Sequence, residues 1–320
     1  MLISKVRTYK YLFVIPVSII ICVFIANRNQ YLPDYQMYLR LFQVENDYVE
    51  FSYNFFSDLF NRDPDNFIYF LFFYAIISFG MKMIFSVDYI LEKRGWTIYL
   101  LFILTYVVSF FVLWDMIQIR YSAGISMLVF GIFNKNIKYK FLFFLLAIML
   151  HSSMLFPVVC FLGLSYIKNI KLKWSIVPVF AFAILIAVFF SGYSSKYNAE
   201  YYGVDNFKIY SGVYILVYMM LVIFFVFRRK IVPEYKNEIY SLYLTSLIMV
   251  IIMVSINSLL PAAADRLANL VCLLLVICLF FISAGKEYFY LMLSFIFIYN
   301  AWMLKVYIFN PHGILTYNNF

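Results

Sequence analysis

Arg120 opens one apolar segment, His151 interrupts another, Arg266 stands at the start of a third, and Asp34 and Glu50 lie in an aromatic-rich loop. These residue types could hold an oxyanion and move a proton. A guanidinium offers planar, forked donors that match phosphate oxygens. An imidazole, with a reference pKa of about 6.5, can exchange a proton or donate a hydrogen bond. A carboxylate can take the proton of an attacking hydroxyl. Plainer readings stand beside these: Arg120 could snorkel or pair with Asp115, Asp265 could neutralise Arg266, His151 could be a hydrogen-bonded structural group, and Asp34 and Glu50 could be solvated loop charges.

The surrounding chain narrows the choice. Its 320 residues are 65% hydrophobic and 22% aromatic, with only 13% charged, so too little polar surface exists for a soluble domain of that length. Apolar runs of about 20 residues match the hydrocarbon thickness of a bilayer. An arginine at such depth is expensive unless it is paired or faces water, which favours a functional role for Arg120. The net charge of +9 comes from short basic clusters between apolar runs rather than from a continuous stripe, so no nucleic acid is expected as partner. Cys22, Cys160, Cys272 and Cys278 all lie inside apolar runs, without metal-ligand spacing, and read as small buried hydrophobes. No Gly-x-x-x-x-Gly-Lys loop, His-Glu-x-x-His or Gly-x-Ser-x-Gly stands in the chain and no Asp-x-Asp metal motif is read from it, leaving nucleotide-driven transport and metal-dependent hydrolysis without a basis.

Basic clusters mark the cytoplasmic side under the positive-inside rule: Lys5/Arg7/Lys10, Lys93/Arg94, Lys135/Lys138/Lys140, Lys168/Lys171/Lys173, Arg228/Arg229/Lys230 and Lys286. Tyr11 to Ala26, followed by Asn27-Arg28-Asn29-Gln30, reads as a retained signal anchor. The spans then fall near 11–27, 66–87, 96–114, 117–134, 174–191, 211–228, 239–260, 267–284 and 288–309, with the N-terminus inside and the C-terminus outside. One stretch, 141–164, lies between two basic clusters that both belong inside. A broken pair of short helices turning near His151-Ser152-Ser153, with Pro157 disrupting continuity, satisfies the rule. The expectation is an all-α, polytopic membrane bundle forming a single transmembrane domain over 1–320. It would have about 10–11 spans and outer loops near 27–65 and 192–210.

This topology gathers Asp34, Glu50, Arg120, His151 and Arg266 on the outer side. Aromatic rings suited to stacking on sugars accompany them: Tyr35 and Tyr38 in the first loop and Tyr201 in the second, with Gln118 just ahead of Arg120. Glu45, Asp47, Asp63 and Asp65 read as incidental loop charges.

Together these residues resemble the EpsG-like branch of Wzy-type polysaccharide polymerases. The resemblance rests on Asp34-Tyr35-Gln-Met-Tyr38, Val49-Glu50-Phe51, Ile119-Arg120-Tyr-Ser-Ala, Leu150-His151-Ser152-Ser153 and Arg266. It implies transfer of an undecaprenyl-diphosphate-linked glycan donor onto a lipid-linked acceptor at the outer face of the bacterial inner membrane. No metal or other cofactor is implied, a GT-C-like architecture is one form the bundle could take, and membrane lipid and a chain-length regulator are possible partners. In that reading Arg120 and Arg266 hold the diphosphate, Glu50 or Asp34 acts as base, and His151 assists. A lipid-linked oligosaccharide flippase, an O-antigen ligase-type transferase and a structural subunit are the alternatives. A flippase would need polar residues along a path to the inner side, and the inward half reads as dry.

Overall fold

The computed structural model describes residues 2–32, 34–45, 49–167, 169–190, 212–258, 260–283 and 285–309, and all of the regular structure among them is helical. They fall into two compact units, Met1–Leu155 with Ile296–Phe320, and Phe156–Phe295. Among the described residues, the stretches Pro64–Ile117, Pro233–Ile256, Ala263–Phe280 and Lys286–Lys305 are long and apolar enough to cross a membrane. Lys10–Ala26, Ile119–Phe133 and Ser152–Tyr166 are shorter apolar helices. The chain is an integral membrane protein built as a polytopic helical bundle.

In the first unit, α1 (Leu2–Ala26) precedes two short helices, α2 (Tyr35–Gln43) and α3 (Phe51–Leu59). The segment expected as a first outer loop, 27–65, therefore carries helices at Tyr35–Gln43 and Phe51–Leu59. Tyr38 and Phe42, one turn apart on α2, and Tyr53 on α3 turn inward onto Phe67, Phe70 and Tyr74. Phe42 and Phe70 have ring centroids 4.9 Å apart, as do Tyr53 and Phe70. Each buried ring contributes about 1.5–3 kcal/mol where the alternative is water, which is enough to draw short amphipathic helices out of a loop.

Next come α4 (Phe67–Ala75), α5 (Met81–Phe85) and α6 (Glu92–Tyr106), linked by π-helical stretches at Ile76–Gly80 and Ser86–Leu91 and continued by a third at Val107–Ile117. A straight run of 54 residues would be about 80 Å long, far more than the ~30 Å of a bilayer core. Gly95 divides it. Its φ of 81° and ψ of 175° lie where only glycine sits without strain. The two limbs face each other across that turn, with Phe79 against Phe111 at 5.5 Å and Lys82 against Asp115 at 3.0 Å. The hairpin agrees with the two spans expected around Lys93/Arg94.

Helix α7 (Ile119–Phe133) returns through Asn134–Asn136 into α8 (Ile137–Leu150), packed close beside it. Two glycines on α7 permit the approach: a β-carbon on Gly131 would meet the Phe144 ring at 2.4 Å, and one on Gly124 would meet the Ala147 carbonyl oxygen and His151 Cβ at 3.2 Å. The antiparallel pairing brings the end of α8 back to the beginning of α7. The chain then breaks at His151, whose φ of −156° and ψ of 116° are extended. A single 3-10 turn, Ser152–Met154, leads into α9 (Leu155–Tyr166). At 14 and 12 residues, α8 and α9 are about 21 and 18 Å long, too short to cross singly. The break stands where the charge rule required it, but Pro157 is not its cause. It occupies the first turn of α9, where its missing N–H has no helical partner to lose.

One end of this unit carries the basic turns, the other the candidate site. Phe85 and Tyr89 touch Phe133 at 5.1 and 5.4 Å, so the Lys93/Arg94 turn and the Lys135 turn share an end. At the opposite end, Arg28 meets the Met116 carbonyl at 2.8 Å.

The second unit contains α9 from Phe156 onward, α10 (Ile170–Phe190), α11 (Val213–Phe227), α12 (Lys236–Ile256), α13 (Pro261–Phe280) and the first part of α14 (Lys286–Phe309). Its basic clusters also share an end. Ser283 donates its backbone N–H to the Lys230 carbonyl at 2.7 Å, and Lys173 Nζ reaches Asn237 Oδ1 at 2.7 Å and Ser241 Oγ at 2.9 Å. Lys173 is 1% exposed and therefore not a free loop charge. The segment expected as a second outer loop, with Tyr201, and the C-terminal segment from Asn310 lie outside the described residues.

Candidate functional site

Three of the residues singled out by their chemistry, Glu50, Arg120 and His151, meet at the end of the first unit away from the basic turns. Glu50 immediately precedes α3, yet its carboxylate does not cap that helix. Oε2 instead accepts from Arg120 Nη1 at 2.6 Å, and Oε1 lies 3.4 Å from the Ser152 N–H and 3.9 Å from His151 Nε2. The side chains of Arg120, Glu50 and His151 keep 15%, 13% and 20% exposure, so the cluster is enclosed but reachable.

Arg120 sits in the first turn of α7, held there by the irregular Gln118. The Arg120 guanidinium carbon lies 5.3 Å from the Tyr38 ring centroid and 5.1 Å from that of Tyr53. Tyr53 in turn donates to the Tyr38 carbonyl at 2.7 Å, tying α3 to α2. Burial pushes both phenols up from their ordinary value, so they stay neutral and Glu50 is the anionic partner of Arg120. The π-faces supply further attraction to the guanidinium.

His151 is fixed on its other side. Nδ1 lies 2.7 Å from Ser153 Oγ and 3.3 Å from the Ser153 N–H, and the ring stands edge-on to Tyr121 at 5.1 Å. Accepting the backbone N–H at Nδ1 leaves Nε2 as the nitrogen that carries a proton toward Glu50.

Asp34 stands at the N-terminus of α2 in left-handed backbone (φ 67°), half-buried, and its field reaches both Arg28 and Tyr38. Tyr35 and Phe67 make a T-shaped contact with ring centroids 5.4 Å apart. Gln118 contributes its carbonyl to the Ser122 N–H at 2.9 Å. Arg266 belongs to the second unit and lies in the second turn of α13, not ahead of the helix, because Pro261 starts α13 earlier than the hydropathy suggested.

The plainer pairing offered for Arg120 is not the one found. Asp115 is not the partner of Arg120. It is fully buried and accepts from Lys82 Nζ at 3.0 Å, from Ser122 Oγ at 2.5 Å and from the Tyr106 hydroxyl, while Lys82 Nζ also reaches Ser122 Oγ at 2.5 Å. This network joins both limbs of the Gly95 hairpin to α7 two residues past Arg120, and so fixes the turn that carries the arginine. Lys82 could have been found from sequence as a lysine inside an apolar run, which is costly unless paired. The reading that the chain lacks an Asp-x-Asp spacing is corrected here, since Asp63-Pro64-Asp65 has it. Asp63 is nevertheless committed to a helix start, accepting the Asp65 N–H at 3.0 Å, and both residues are exposed.

Arg28 was also passed over. It follows α1 directly, is 6% exposed, and places its guanidinium carbon 5.8 Å from the same Tyr38 ring that Arg120 faces. The available signal was an arginine at the end of a span that the positive-inside rule would leave without one.

An apolar cavity of about 360 Å³ adjoins the cluster, lined by Phe51, Phe55, Phe56, Met127 and Leu146 among others. Phe51 and Ser52 follow Glu50, and Leu150 precedes His151, so the cavity wall continues directly into the site.

Fold and site thus define a polytopic membrane protein with a carboxylate–guanidinium–imidazole cluster at one end of a helical unit. The chain belongs to the EpsG family, whose model matches residues 10–319, a family associated with exopolysaccharide biosynthesis. No curated protein and no solved structure matches it.

Proposed function

We propose that the protein is a glycosyltransferase that polymerises undecaprenyl-diphosphate-linked repeat units at the outer face of the bacterial inner membrane. The observation that carries this reading is the Glu50–Arg120–His151 cluster opening beside an apolar cavity. Such a site suits an amphiphile with an anionic head and a hydrocarbon tail. The basic residues at the opposite end support an outward-facing site.

In the proposed reaction the acceptor hydroxyl attacks the anomeric carbon of the donor. The new C–O bond forms as the bond to the diphosphate breaks, and the electron pair leaves on the diphosphate oxygen. Arg120 is aimed to stabilise that developing charge. Glu50, released as Arg120 turns to the diphosphate, takes the hydroxyl proton, with His151 Nε2 standing 3.9 Å from its Oε1. Tyr38 is proposed as part of the glycan-facing wall.

Deletion followed by gel analysis of the surface glycan tests the reading. A polymerase defect leaves single repeat units on the final acceptor, and Arg120→Ala should reproduce it at normal protein levels. Loss of all surface glycan would favour a flippase or ligase instead, and unchanged chain lengths would remove Arg120 from the mechanism.

A further inference from the structure

Arg120 is already neutralised by Glu50 at 2.6 Å, and Tyr38 and Tyr53 cover its faces. Arg28 is in a different position. Of its five N–H donors, one on Nη1 is used, bonded to the Met116 carbonyl at 2.8 Å. That carbonyl ends the π-helical stretch Val107–Ile117, where carbonyls lack helical partners. Nε and Nη2 are buried and have no hydrogen-bond partner among the described residues. A guanidinium so placed is charged and largely out of water, with most of its fork unused. Capping one carbonyl would need only a single donor.

We propose that Arg28 is the principal oxyanion ligand of this site, binding a phosphate or diphosphate group beside Tyr38, with Glu50 as the chemistry's proton acceptor. The geometry gives the division of labour. Both guanidinium carbons lie within reach of one ring, at 5.8 Å for Arg28 and 5.3 Å for Arg120. Arg120 carries a carboxylate and leaves its buried Nε without a partner, whereas Arg28 leaves both Nε and Nη2 buried without one among the described residues. An incoming diphosphate satisfies Nε and Nη2 of Arg28 with paired oxygens, a fit that a point-charged ammonium cannot reproduce. Its arrival next to Tyr38 then draws Arg120 away from Glu50. The inference deepens the proposed function and rests on it only for the source of the diphosphate.

The test uses the full-length protein in nanodiscs and reads saturable shifts in unfolding midpoint with two probes, inorganic diphosphate and farnesyl diphosphate. Wild type should be stabilised by both. Tighter binding of farnesyl diphosphate points to a lipid-linked ligand, and equal binding to the free anion. Arg28→Gln should weaken both by about 10- to 100-fold, as expected for loss of hydrogen bonds to a charged group. Arg28→Lys, which retains the charge and a donor for the Met116 carbonyl, should fold normally yet bind several-fold more weakly. If Arg28→Gln does not fold, Arg28→Lys decides. Equal affinity in the folded variant, or no saturable shift in wild type, overturns the proposal. Diphosphate binding through Arg28 in a protein whose deletion leaves glycan chain length unchanged would keep the site and remove the polymerase reading.

Discussion

Replacing Glu50 by Gln keeps the shape of the side chain and removes its charge, leaving Arg120 with a neutral partner in an enclosed setting. At a charge separation of about 4 Å and an effective dielectric of about 20, the attraction is roughly 4 kcal/mol. Desolvation offsets part of that, and the 13–15% residual exposure of the two side chains lets water screen more of it. A coupling of about 2 kcal/mol is therefore expected between positions 50 and 120. Wild type, Glu50→Gln, Arg120→Gln and the double variant, unfolded with SDS in mixed micelles, give that number directly. Each single change should cost about 2–3 kcal/mol, and the double change only slightly more than either. Polymer synthesis should meanwhile fall by about 100- to 10,000-fold in Glu50→Gln for loss of a general base. Additive single effects, within roughly 0.5 kcal/mol, would refute the ion pair. Activity that declines only in step with the amount of folded protein would refute Glu50 as base and leave it a positioning residue for Arg120.

Two further outcomes follow from the packing that holds the cluster. Lys82→Met alone should destabilise the protein by about 3–5 kcal/mol because Asp115 is left buried and unpaired, and adding Asp115→Leu should recover most of the loss; an SDS unfolding series that finds the double variant worse than the single one would exclude the buried pair. Gly124→Val should cost about 1–3 kcal/mol by overpacking, since its β-carbon already meets Met154 Cγ at 2.9 Å and the Ala147 carbonyl oxygen at 3.2 Å; an unchanged unfolding midpoint would show that α8 does not lie against α7 there.

Much of the architecture was legible because the bilayer imposes it. Apolar runs, the basic clusters between them and the excess cluster beyond 141–164 were enough to place the spans and to require a break at His151. Arg120, Glu50 and His151 could be picked out because each is chemically out of place among apolar or aromatic neighbours. Partner choice was not legible. Asp115 lies five residues from Arg120 and 33 from Lys82, yet it bonds Lys82, because the Gly95 turn folds one limb against the other. Arg28 read as a residue that merely follows the anchor, because nothing local reveals that its guanidinium is buried against Met116, 88 residues away. Likewise, α2 and α3 read as loop because their buried rings are few and only the Phe67–Tyr74 surface gives them something to cover.

By itself, then, the sequence determined the solvent this protein lives in, the rough extent of its apolar helices and the few residues equipped for acid–base and anion chemistry. Those follow from composition and from charge along the chain, which are local quantities. Only the tertiary structure decided that Glu50 neutralises Arg120, that His151 closes the same cluster, that Lys82 and Asp115 brace it, and that Arg28 is left with open donors. Each of those depends on which residues distant in the chain share an enclosed, low-dielectric space, where a missing or added partner outweighs any local preference.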